Sequence, residues 1–146
     1  MAMNTKKVLV GGLAAGVVLN IIDYVVNGVV LAPRMKAEAD AFMPGLSDIM
    51  MSGRSITMYI ITDFVVGILL VWTYAAIRPR FGPGLRTAGA AAVLFWLLGS
   101  LFTVGYMQIG MMSRGLWWTT GIIWLVNLLI ASSVGAWLYT EEAATV

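Results

Sequence analysis

Two carboxylates stand inside long apolar runs of this chain: Asp23, in LNIIDYVVN, and Asp63, in IITDFVV. An ionised acid taken into hydrocarbon needs a counter-charge. The nearest cations along the chain are Arg34, eleven residues from Asp23, and Arg54, nine from Asp63. On a helix those separations are roughly 13–17 Å, too long for an ion pair. The two acids are therefore expected to sit protonated, to share a proton, or to hold a cation or water. Asn20, Asn27, Tyr59, Thr103 and Asn127 are the neutral residues placed to support them. An acid in a membrane span is a candidate functional site. A plainer reading stands beside it, in which each acid is hydrogen-bonded to Asn or Tyr and holds two helices together.

The chain has neither Cys nor His, which removes thiol chemistry, disulfides, His-based metal sites and imidazole catalysis. Two membrane acids invite comparison with intramembrane aspartyl proteases, whose carboxyl pair shares a proton to activate water. The glycine-rich Asp motif of those enzymes is missing, because Asp63 sits in Thr62-Asp63-Phe64. No P-loop, acyl-transfer triad or metal-hydrolase motif occurs either. The methionine pairs Met50–Met51 and Met111–Met112 read as packing rather than as copper ligands. No enzymatic activity, metal or cofactor is expected.

The elements that must position these residues follow from composition. Of 146 residues 60% are apolar and only 11% charged, and the mean hydropathy is +0.90. A soluble domain carries about 25% charge, so this chain is a membrane protein. A cytosolic enzyme, a nucleic-acid binder and a disordered tail are excluded together. A span needs about 20 mostly apolar residues, and four stretches qualify: 8–32, 56–77, 88–109 and 116–139. The first is too long for a signal-peptide core and lacks a cleavage site. Between spans one and two, Pro33 opens a helix over 33–43 with an apolar stripe of Met35, Ala39, Phe42 and Met43. Arg34–Glu38 and Lys36–Asp40 make i,i+4 pairs beside the stripe, and Pro44-Gly45 stops it. The fold expected is all-α: one integral membrane domain, a four-helix bundle with a short interfacial amphipathic helix.

Each span has one face suited to a protein interior. At about 100° per residue, span one gathers Gly12, Gly16, Asn20, Asp23 and Asn27. Span two gathers Tyr59, Asp63, Gly67 and Tyr74; span three, Ala92, Trp96, Ser100 and Thr103; span four, Thr120, Asn127, Ala131 and Gly135. Gly12, Gly16, Gly67, Ala131 and Gly135 are the small residues expected at helix crossings. Alternating span directions are expected to bring Asp23 and Asp63 to one depth, with Thr103 and Asn127 near them. Trp72, Tyr74, Trp117, Trp118, Trp137 and Tyr139 read as interfacial belts.

The segment from Gly99 to Tyr139, running SLFTVGYMQIGMMSRGLWWTTGIIWLVNLLIASSVGAWLY after the glycine, resembles small four-span bacterial inner-membrane proteins of a family known as a domain of unknown function. The small-residue start of span one shares that resemblance. It implies a four-span architecture and a bacterial inner membrane. Lys6, Lys7, Arg78, Arg80 and Arg86 fall on one side and Arg34, Lys36, Arg54 and Arg114 on the other. The short, purely basic middle loop favours cytoplasmic termini. Two functions are expected to compete: proton- or cation-coupled transport of a small solute, and an accessory or assembly subunit of a larger membrane complex. The expected partners are the lipid bilayer and a second copy or another membrane subunit, with no nucleic acid.

Overall fold

A computed structural model describes residues 3–140 and contains helices and turns, with no strand among the described residues. Helix α1 runs Thr5–Asp23 and continues as a π-helical segment, Tyr24–Val30. Two short helices follow, α2 at Ala32–Phe42 and α3 at Leu46–Met50. The remaining long helices are α4 (Gly53–Phe81), α5 (Leu85–Gln108) and α6 (Arg114–Leu138). Four of these segments are long and apolar enough to cross a membrane: Thr5–Val30, α4, α5 and α6.

Side chains begin the helices where they can satisfy free N–H groups. The Asn4 side chain accepts from the Lys7 N–H at 3.0 Å, Ser52 from that of Ser55 at 3.3 Å, and Ser113 from that of Leu116 at 3.2 Å. Gly82 and Gly84, with φ of +82° and +115°, turn the chain between α4 and α5. Helix α4 runs past the expected end at Ile77 and carries Pro79 two residues before its end, where the proline removes one ladder bond, that to the Ala75 carbonyl. The segment 33–55, expected to hold one helix, holds two. The π segment was not legible in the sequence; its i+5 bonding shows in the Leu31 N–H to Val26 carbonyl contact of 2.7 Å.

Helix α1 packs on α4 and α6, α5 packs on α6 and α4, and α4 meets α6 across the middle. Close approach depends on glycine. A Cβ at Gly67 would lie 2.5 Å from the Gly12 carbonyl oxygen and from the Gly16 nitrogen. One at Gly135 would press on Val71, and Gly11, which the sequence reading passed over, faces the Gly135 carbonyl. These glycines therefore act at helix crossings inside one chain.

Within the long helices, buried side chains concentrate toward one end of the bundle; Ala39 of α2 and Ser47 of α3 are buried apart from them. Those of the long helices fall at Val8–Leu19 of α1, Gly67–Ala75 of α4, Thr87–Ala92 of α5 and, apart from Leu116, Asn127–Ala136 of α6. This is the end that holds the α4–α5 turn. Toward the opposite end, where α2 and α3 lie, the π segment contains no buried residue. Tyr74, on the expected interior face of span two although also expected in a belt, and Tyr139, expected in a belt, belong to the core: they are 2% and 4% exposed and stack edge to face at 6.0 Å. Their hydroxyls accept from the Gly84 and Asn4 N–H groups, because a Tyr buried among apolar helices needs a partner for its phenol. Trp72, Trp118 and Trp137 stay outward.

Candidate functional site

The register between α1 and α4 can be read from three contacts. Gly12 lies against Ile68 and Gly16 against Phe64, and the Asn20 amide donates to the Ile60 carbonyl at 3.3 Å. Each four-residue step along α1 thus matches a four-residue step back along α4. On that register Asp63 is level with Val17, and Asp23 is level with Thr57. The two acids are not at one depth, as expected from span midpoints, but about six residues or ~9 Å apart along the axis. The structure corrects that expectation because packing glycines, not span centres, set the register. Side chains on a helix lean toward its N-terminus, and the helices are antiparallel. Asp23 therefore leans back toward the level of Asn20 and Asp63 toward that of Ile60, so the carboxyls approach each other. Both residues are half-buried.

Helix α6 closes the third side. The Asn127 amide donates to Asp23 Oδ1 at 3.0 Å and to the Leu19 carbonyl at 3.4 Å. Asn27, one turn along the π segment, donates to the same Asp23 oxygen at 3.4 Å. Helix α6 runs parallel to α4, with Gly135 against Val71. Eight residues back along each helix, Asn127 is level with Asp63. Asn127 is fully buried, and its Oδ1 has no hydrogen-bond partner. The amide cannot gain by turning over, since its NH₂ already serves two acceptors. No hydrogen bond reaches Asp63 from the described residues. The cluster is rich in acceptors and poor in donors.

The other expected ligands lie elsewhere. Tyr59 is 51% exposed and makes no hydrogen bond among the described residues, since its place near the loop end of α4 lies beyond the tight packing. Thr103 donates to the Gly99 carbonyl at 2.9 Å and accepts from Trp117 Nε1 at 3.2 Å, which ties α5 to α6 and leaves it out of the acid cluster. Asn20 donates to the Gly16 and Ile60 carbonyls and joins α1 to α4. Asp23, Asn27 and Asn127 are brought together by hydrogen bonds, and Asp63 stands on the neighbouring helix α4 with none to them. Among the described residues no group of three or more His, Cys, Asp or Glu forms.

A cavity of about 410 Å³ lies beneath α2 and α3, lined by Asn27, Pro33, Met35, Lys36, Met50 and Met51, among others. Asn27 links that cavity to Asp23. The helices roofing it are fastened in two ways. Glu38 accepts from the Ser113 N–H and hydroxyl, each at 2.7 Å, and from Arg34 Nε at 3.1 Å. Partial desolvation pushes the Glu38 carboxyl upward, but the two Ser113 donors and Arg34 outweigh it and hold it below its ordinary range. Asp40 accepts from the Ser47 N–H at 3.0 Å and its hydroxyl at 2.8 Å. Those bonds hold Asp40 low and replace the expected close pair with Lys36, because the Pro44-Gly45 turn brings Ser47 back over α2. The Ser113 latch escaped sequence reasoning, although a serine just ahead of the apolar start of α6 was an available cap signal.

The fold and the buried polar face define a multi-pass α-helical membrane protein. Compared with known families, curated proteins and solved structures, the chain matches none.

Proposed function

We propose that this chain is a small polytopic protein of the bacterial inner membrane that carries a proton or cation on Asp23 and Asp63 and couples it to movement of a small solute. One observation carries the reading: two half-buried acids stand about six residues apart on the paired helices α1 and α4, and amide donors reach only one of them. Such a pair is stabilised by taking up a proton or another positive charge. The cavity under α2 and α3 offers an approach through Asn27. The basic residues Lys6, Lys7, Arg78, Arg80 and Arg86 support cytoplasmic termini, so the cavity opens outward.

A second reading is favoured by the Asn20 and Asn127 bonds to carbonyls of neighbouring helices. These are interhelical ties, and an accessory or assembly subunit would use the whole cluster in that way. Reconstitution in liposomes with a pH-sensitive dye separates the two. Under the coupling reading Asp63→Asn leaves a folded protein and abolishes proton flux. Under the accessory reading the wild type moves no protons, Asp63→Asn is tolerated, and Asp63→Leu loosens the bundle.

A further inference from the structure

From the placement of Asn127 we infer that the acid cluster is a binding site for a hard, oxygen-seeking metal cation, with the Asn127 carbonyl oxygen as its neutral ligand. This rests on the preceding reading of Asp23 and Asp63 and names what the pair holds. Two acids alone do not make a site; the independent observation is the orphaned Asn127 Oδ1. A buried acceptor left without a donor keeps the full penalty of its lost hydration. Here the residue is fully buried and the oxygen is unpartnered.

The orientation of that oxygen is set by its own amide. The NH₂ is committed to Asp23 Oδ1 and the Leu19 carbonyl, so the oxygen points away from α1. The Val71–Gly135 contact places Asn127 level with Asp63 on the parallel neighbour α4. The polar side chains that the helices bring to this level among the described residues, Asp23, Asp63 and Asn127, offer carboxylate and amide oxygens. Oxygen donors of this kind suit alkali and alkaline-earth ions. A lone proton would satisfy one acceptor, whereas a metal ion satisfies several at once. Asn27 and Asn127 hold Asp23 in place, and the cavity under α2 provides room for an ion to shed its water.

The test uses the full chain purified in detergent. Sodium, magnesium and calcium chlorides are titrated separately by calorimetry against choline chloride at matched ionic strength. We expect saturable one-site binding of at least one ion, weakened by at least about tenfold in Asp63→Asn and in Asn127→Leu. Asn127→Asp keeps an oxygen in place and retains binding, which serves as the folding-independent check. Absence of binding by all three ions overturns the inference, as does binding that both Asp63→Asn and Asn127→Leu leave unchanged. If liposomes still show Asp63-dependent proton flux while no metal binds, the ion assignment falls and the coupling reading stands. If neither is seen, both fall.

Discussion

Asn127 and Asn20 show how one residue type divides its work inside the bundle. Asn20 spends its NH₂ on two backbone carbonyls, Gly16 on its own helix and Ile60 on α4. Its role is adhesion. Asn127 spends its NH₂ on Leu19 and Asp23 and keeps a buried oxygen in reserve. In a membrane an interhelical hydrogen bond contributes about 0.6 kcal/mol on average and at most about 1.7. Replacing Asn20 by Leu should therefore lower bundle stability by about that amount in a steric-trapping or denaturant titration. Proton flux should persist, because the acid cluster keeps its partners. Loss of flux with unchanged stability would show that Asn20 belongs to the site. At this scale the polar faces of α1, α4 and α6 were legible, because helical periodicity gathers side chains whatever their neighbours. The partners were not: Thr103 chose Trp117 over the acids, a choice that depends on the packing of two helices and not on either alone.

Among the elements, α2 is held across the loop end by Glu38 on the N-terminal cap of α6. The sequence pairs Glu38 with Arg34, and that pair forms at 3.1 Å, but an exposed i,i+4 ion pair is a weak fastening. The two Ser113 donors make the latch. Because the folded Glu38 carboxyl lies below its ordinary value of 4.5, its contribution is present above that value and is lost as pH falls through the lowered folded one. Hydrogen exchange at the Ser113 amide should accelerate as the pH is lowered below about 4.5, after correction for intrinsic rates. Glu38→Ala, which removes the acceptor of the Ser113 N–H, should show fast exchange already at neutral pH. A Ser113 amide equally protected in the variant would remove the latch. The π segment, Tyr24–Val30, is the other element absent from any periodicity; it follows Asp23 directly and carries Asn27, whose amide reaches back to that carboxyl. Wide helical turns of this kind concentrate at functional sites.

The whole molecule is closed where α4 turns into α5 and opens toward α2 and α3. Its exposed surface is apolar over most of each long helix, with Trp137 82% exposed at one end of α6, as lipid contact requires. Orientation can be tested because the chain has no Cys. In intact cells Arg114→Cys should react with an impermeant maleimide, and Arg86→Cys should react only after permeabilisation. The reverse pattern would turn the cavity beneath α2 toward the cytoplasm. Four spans, an interfacial helix and a polar face on each span could be deduced from the chain alone, since bilayer thickness, helical pitch and the cost of exposing polar groups to lipid act locally. What required the folded molecule was register: Gly12, Gly16 and Gly67 admit the neighbouring backbone at the observed offset, with no room there for a Cβ. That offset staggers Asp23 and Asp63 and leaves Tyr59 at the surface, while Gly11 and Gly135 fit α6 so that Asn127 reaches Asp23. Sliding one helix along another leaves every sequence pattern unchanged, so only steric fit between helices could choose among the offsets.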